Sequence, residues 1–300
     1  MKDNMRKLFK NGYGETRSGW VVIVAILLIT VALGIGESFA DYNGLLAKLV
    51  GTGLYNLIII GGGILLFKLI YKRSLCEVGL VRDRWLRWIF YGFLIGTISI
   101  VLIFGILLLC GQVHVLGTDV HRLLSISFLI EFISLCITVF SEEFIARGII
   151  MTALKTTRKQ WVVYWTSAVI FSSFHLMNPG VTILSYVNTL FAGLLFSYMF
   201  IKSGALWLPT GFHIAWNFIQ GDIFGMNVSG NEQTAVFITN MGDNSILTGG
   251  SYGIEGGVLV TAVLLLGFLF VRLFVKTPDN PIWTIDSNLP LTKENRGTIL

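Results

Sequence analysis

Charge is what this sequence has least of. Only 13% of its 300 residues are Asp, Glu, Lys or Arg and 54% are hydrophobic, where soluble domains carry about 25% charge. A water-soluble fold of this size could not cover itself with so few charges. Proline is scarce too, with 5 residues in the chain, while Leu, Ile, Val and Phe fill long stretches. The three cysteines, Cys76, Cys110 and Cys136, have no close spacing that marks a metal knuckle or a redox pair, and Cys110 and Cys136 sit in apolar runs as small hydrophobes. The net charge of +5 is small and scattered, which excludes a nucleic-acid partner. No small-residue cleavage site follows the first apolar segment, so that segment reads as a span and not as a removed leader.

What is present in abundance is bilayer-length apolar sequence. A helix needs about 20 apolar residues to cross a hydrocarbon core of about 30 Å. Eight stretches qualify or nearly do: Trp20 to Gly36, Leu49 to Ile70, Trp88 to Cys110, one starting near Leu123, Val162 to Leu176, Val181 to Ile201, Ala205 to Ile219 and Val258 to Val275. The alternating pattern of a membrane barrel is missing, and an open sheet edge in lipid would leave backbone groups unpaired. The expected fold is all-α, a polytopic transmembrane bundle of about eight spans.

Basic residues give an independent check, because cytoplasmic loops carry the excess of Lys and Arg. Lys2, Arg6, Lys7, Lys10 and Arg17 precede the first span. Lys72, Arg73, Arg82, Arg84 and Arg87 follow the second, Lys155, Arg158 and Lys159 follow the fourth, and Lys202 follows the sixth. The intervening loops hold only Lys48 and Arg122, and no Lys or Arg occurs from Gln220 to Gly257. This alternation predicts cytoplasmic termini: a basic tail over 1–19, a bundle over 20–275 with its catalytic core at about 124–220, an external loop at about 220–257 and a polar tail over 276–300. That loop is longer than an ordinary connection, so it is either a floppy external loop or a lid or re-entrant excursion. The expected location is a bacterial plasma membrane.

Ionisable residues inside spans need a partner or a purpose. They occur here in three places: Ser141-Glu142-Glu143 running to Arg147, Phe171 to His175, and His213 to Asn217. Glu142 stands about 20 Å of helix before Lys155, and His175 about 21 Å after Trp161. His213 and Asn217 lie about 12 and 18 Å past Ala205. Three helices thus bring polar groups to overlapping depths. Glu143 and Arg147, four residues apart with the acid first, share a face and satisfy each other. His213 and Asn217 also project together. The simplest arrangement sets a Glu142–His175 pair against a His213–Asn217 pair, with Glu143–Arg147 as scaffold.

Such a set suits hydrolysis. A carboxylate beside an imidazole takes a proton from water, and a second His with an Asn amide donates to the oxyanion formed on the attacked carbonyl. No serine or cysteine has a base beside it. Two cofactor readings stay open: a metal-free glutamate mechanism, or a divalent metal such as zinc held by Glu142, His175 and His213. The compact H-E-x-x-H arrangement is absent.

Glu142-Glu143-x-x-x-Arg147, Phe171-x-x-x-His175 and His213-x-x-x-Asn217 resemble the three motifs of the CPBP intramembrane protease family, which includes CAAX prenyl proteases and bacteriocin self-immunity-related membrane proteins. Phe191-Ala-Gly193 and Lys202 to Pro209 are similar to the family's linker, and the resemblance covers about 140–218. It implies an intramembrane endopeptidase acting on a membrane-associated protein or peptide within the lipid bilayer. Glu142 would activate water with help from His175, and His213 and Asn217 would stabilise the oxyanion. Glu143, Arg147 and Phe171 would support the site. The family has been described both as metalloproteases and as glutamate proteases, so its name leaves the cofactor open. The competing function is a non-proteolytic transporter or an immunity or scaffolding protein. A transporter should show related halves or paired broken helices, and neither is evident. Glu131 lies on nearly the face of Glu142, either at the outer mouth of a polar crevice or paired with another group. Asn56 and Asn188 read as helix–helix hydrogen-bond formers.

Overall fold

The structure, a computed structural model, describes residues 8–11, 16–39, 45–72, 74–82 and 84–277. Lys2, Arg6, Lys7, Arg73 and nearly all of the carboxy-terminal tail lie outside the described residues. Eight helices longer than ten residues occur within them: α1 (Ser18–Ser38), α2 (Leu45–Tyr71), α3 (Trp85–Leu109), α4 (Ile126–Glu143), α5 (Gln160–Ser173), α6 (Ile183–Ser203), α7 (Trp207–Asn217) and α8 (Val258–Phe274). Four are long and apolar enough to cross a membrane: α1, α2 over Leu49–Tyr71, α3 and α6. Helix α8 is a shorter apolar helix. The chain is an all-α, polytopic membrane bundle, with four long apolar helices among the described residues where eight spans were expected. The difference lies in the site-bearing elements. Helix α4 carries Glu131, Glu142 and Glu143, and α5 and α7 have only 14 and 11 residues.

Two helices change pitch where the polar motifs end. Helix α4 runs on as a π-helix over Phe144–Met151, and α7 as a π-helix over Phe218–Ile223. A π-turn is uncommon and clusters at functional sites, because it inserts a residue and loosens the ordinary ladder of backbone bonds. The Ser167 hydroxyl, from α5, donates to the Ala146 carbonyl at 2.9 Å in the first of these stretches. A polar group from a neighbouring helix thereby ties the widened turn to α5.

Small residues set how closely the helices approach, as expected where lipid gives no hydrophobic drive between apolar helices. Gly92 and Gly96 on α3 lie against α7. A Cβ at Gly92 would stand 2.2 Å from the Leu208 carbonyl oxygen, and one at Gly211 would stand 2.2 Å from the Ile89 carbonyl oxygen. Two apolar clusters result. One gathers Ile100, Leu107, Leu195, Phe212 and Leu264 from α3, α6, α7 and α8. The other gathers Val21, Ile59, Phe144, Ile149 and Val163 from α1, α2, the first π-helix and α5.

The segment between α7 and α8 is folded. Its strand β2 (Phe237–Met241) pairs antiparallel with β1 (Val113–Thr118), Val113 opposite Met241 and Thr118 opposite Phe237, with a register shift between Val115 and Gly117. This ribbon joins the α3–α4 and α7–α8 connections, and the shift gives it the local bend typical of a bulge. The Asn188 amide donates to the carbonyls of Glu255 and Gly257, tying the return of the segment to α6.

Candidate active site

A cavity of about 500 Å³ opens at the meeting of α4, α5, α6 and α7. On α4 its wall is a stripe of Glu131, Ser134, Leu135, Thr138 and Glu142, the i, i+3, i+4, i+7 and i+11 positions of one helical face. Helix α5 and the turn after it supply Phe171 and His175, and α7 supplies His213 and Asn217. Glu142, His175, His213 and Asn217 thus line one cavity.

The pairing within it differs from the simplest arrangement. Glu142 Oε2 stands 3.9 Å from His213 Nε2, and no direct contact joins Glu142 to His175. His175 lies just past the end of α5, where its Nδ1 is 2.9 Å from the Phe171 carbonyl oxygen. A carbonyl only accepts, so Nδ1 carries the proton and Nε2 is left as the acceptor. The physical reason for the change is helix geometry: α5 ends at Ser173, so His175 follows the turn and not the helix face.

Glu143 and Arg147 are fully buried and joined at 3.0 Å. Glu143 does more than satisfy its i+4 partner, because the same Oε1 also accepts from His213 Nδ1 at 3.0 Å. Arg147 donates its other terminal nitrogen to the Gly193 carbonyl at 3.1 Å, and its guanidinium carbon lies 4.3 Å from the Phe171 ring centroid and 5.2 Å from that of Phe196. Hydrogen bonds and ring faces hold the pair, while Glu143 Oε2 and Arg147 Nε are buried with no hydrogen-bond partner among the described residues. The imidazole of His213 is held in turn, stacked on Phe196 at 5.0 Å between centroids. With Nδ1 committed to Glu143, Nε2 is the atom presented to Glu142 and the cavity. Phe171 packs edge-on to His213 and beside His175.

Zinc would need Glu142, His175 and His213 to close around one point, and they do not. Among the described residues no group of three or more His, Cys, Asp or Glu side chains could hold a metal ion.

The folded segment between α7 and α8 adds a wall that the motifs did not reveal. Asp222, Ser229, Asn231, Glu232 and Glu255 all line the cavity. Trp216 Nε1 donates to Glu255 Oε1 at 3.1 Å, and the amide and hydroxyl of Ser229 donate to Glu255 Oε2. Glu255 lies before α8, outside the spans, and burial pushes its carboxyl above the ordinary carboxylate range despite these hydrogen bonds. The only sequence signal for it was an acid in a stretch without Lys or Arg. Glu131 has its partner in Arg122, at the outer end of the stripe. Asn56 bonds Thr138 from α2, as a helix–helix contact.

Residues 123–219 match the family model described as Rce1-like, Type II CAAX prenyl endopeptidase Rce1-like. The match to this CAAX protease family model runs over part of the chain, from just before α4 to just past α7. No curated protein and no solved structure matches the chain.

Proposed function

We propose that the chain is an intramembrane endopeptidase that hydrolyses a peptide bond in a membrane-associated protein or peptide, using water activated by Glu142. The observation that carries this reading is the cavity in which a mostly buried Glu142 faces the Nε2 of a His213 whose other nitrogen is held by a buried Glu143–Arg147 pair. A gap of 3.9 Å is too long for a hydrogen bond and admits one water bonded to both groups.

In this mechanism the water gives one proton to a Glu142 oxygen while its own oxygen attacks the carbonyl carbon. His175 Nε2 accepts the water's second hydrogen and orients the lone pair. Negative charge develops on the carbonyl oxygen, where the Asn217 amide donates to it, joined by His213 Nε2 when the ring enters the step as the imidazolium, which donates from both nitrogens. Glu143 balances that charge on the ring and keeps it oriented, as a carboxylate does behind an imidazole in hydrolytic triads. Collapse breaks the carbon–nitrogen bond, and the proton on Glu142 passes to the leaving amine. Glu143, Arg147 and Phe171 are positioning residues.

The cavity lining also bears on substrate choice. Glu142, Asp222 and Glu232 line it beside Glu255 and the Arg122-paired Glu131, and among the described residues no Lys or Arg does, so a peptide segment carrying positive charge is favoured over an acidic one. All eight helices are read as crossing the bilayer, with both termini on the cytoplasmic side, as the distribution of basic residues requires.

The test is a cleavage assay on purified protein in detergent and in vesicles. It uses a farnesylated peptide with a CAAX ending, its unmodified counterpart and a set of membrane-spanning peptides, with and without a chelator. Glu142→Gln should abolish cutting of whichever peptide the wild type cuts, with the helical content and thermal transition unchanged. Cutting by Glu142→Gln at the wild-type rate would falsify the role given to this carboxylate. A chelator should leave the rate unchanged.

A further inference from the structure

A second and larger cavity, of about 1130 Å³, runs as a groove between α3 and α8 on the far side of α7 from the catalytic centre. Its walls are apolar: Ile95, Ile98 and Leu102 from α3 face Leu266, Phe270 and Phe274 from α8. Ile98, Leu102, Leu266 and Phe274 are each about half exposed or more, so the walls stand open to whatever fills the groove. The polar character is confined to one end. There Arg84 and Arg87, at the start of α3, meet Lys276, just past the end of α8, beside Trp88 and Tyr91. Among the described residues no acidic side chain lines the groove, in contrast to the five carboxylates of the catalytic cavity. The start of α3 adds to the positive end, since its first turn has no acid and the helix dipole puts partial positive charge there.

An apolar trough capped by three cations and two interfacial aromatics matches one chemistry: two acyl chains joined to a negatively charged headgroup. Basic pockets between membrane helices on the cytoplasmic side bind anionic headgroups, and Trp and Tyr sit at the same headgroup level. We propose that this groove binds an anionic two-chain phospholipid, its phosphate at Arg84, Arg87 and Lys276 and its chains along α3 and α8. The floor is Ala205 and Leu208, at the start of the helix that carries His213. Helix α3 also meets that helix at Gly92 and Gly96. A seated lipid therefore braces the outer side of the contact that positions α7.

The experiment uses the full chain, delipidated in detergent and then offered phosphatidylglycerol or phosphatidylcholine of identical chains. Retained lipid is read by native mass spectrometry, and the thermal transition by fluorescence. Phosphatidylglycerol should be retained in preference to phosphatidylcholine and should raise the transition, whereas free glycerol phosphate at the same concentration should not. Arg84→Ala with Arg87→Ala should weaken phosphatidylglycerol retention by about thirtyfold, the effect of removing two cationic contacts at a headgroup. Lys72→Ala with Lys159→Ala, an equal loss of charge away from the groove, should leave it unchanged. Ile98→Trp, which narrows the trough, should lower retention of both lipids. Three results would overturn the proposal: equal retention of the neutral and the anionic lipid, equal loss in the two charge-removal pairs, or wild-type retention in folded Ile98→Trp.

Discussion

At the residue scale, the centre of the site is a chain of three side chains, Arg147 to Glu143 to His213, with no exposed surface on the first two. Removing one member of a buried pair leaves an uncompensated charge, which costs about 3–5 kcal/mol, whereas replacing both by apolar groups is often near neutral. Arg147→Met should therefore lower stability by about that amount, measured by reversible denaturant or thermal unfolding in mixed micelles. Glu143→Gln combined with Arg147→Met should recover part of the loss while leaving the enzyme slow, because His213 then lacks the carboxylate behind it. A double variant as unstable as the sum of the two single variants would show that the pair is not energetically coupled. The direct bond from His213 to Glu143 was not legible from spacing. Sequence distance brings Glu143 and Arg147 onto one face, but it cannot place a residue of another helix against the same oxygen.

At the element scale, what positions His213 and Asn217 is the closeness of α3 to α7. Gly92 has no room for a methyl group beside the Leu208 carbonyl, while Gly105, on the same helix, has nothing within 4 Å of its would-be Cβ. Gly105→Ala should be neutral or stabilising, by up to about 1 kcal/mol from helix propensity. Gly92→Ala should destabilise by about 1–3 kcal/mol through overpacking, and lower turnover more than substrate affinity because α7 shifts. Unfolding curves and a kcat against KM comparison for the two variants check this together. The two π-helical stretches also belong to this scale. Nothing in the residue order of Phe144–Met151 marks the change of pitch, since it arises from what packs around the helix.

At the scale of the whole molecule, the segment between α7 and α8 closes one side of the cavity, and Glu255 is one of the groups that hold it. Burial raises the Glu255 carboxyl above its ordinary range, so the folded chain keeps this proton at pH values where the unfolded chain has released it. The stability linked to this group is then greatest below the ordinary glutamate range and is lost as pH rises through the raised folded value. Glu255→Gln should flatten that decline, and proteolysis within 228–234 as a function of pH is the measurement. A slope unchanged by the substitution would remove Glu255 from the account. The topology has its own check. A membrane-impermeant thiol reagent applied to a cysteine-free background should label Lys159→Cys and Lys202→Cys from the cytoplasmic side only, and Glu232→Cys from the opposite side only. Labelling of Glu232→Cys and Lys202→Cys from the same side would overturn the eight-span reading.

By itself, the sequence determined that the chain is an all-α membrane bundle, and singled out Glu142, His175, His213 and Asn217, which line one cavity. Hydrocarbon admits only helices and closed barrels, the alternating pattern of a barrel is missing, and rise per residue converts spacing into depth along a helix. Only the tertiary structure decided that His213 is shared between Glu142 and Glu143, that His175 turns back to the Phe171 carbonyl, that Arg122 neutralises Glu131, and that the glycine-rich segment folds over the cavity. Rotation of one helix about its axis relative to another, and the docking of a loop through a strand pairing, the Asn188 amide and the Glu255 carboxylate, depend on contacts between residues distant in the chain. A one-dimensional spacing carries no term for those contacts.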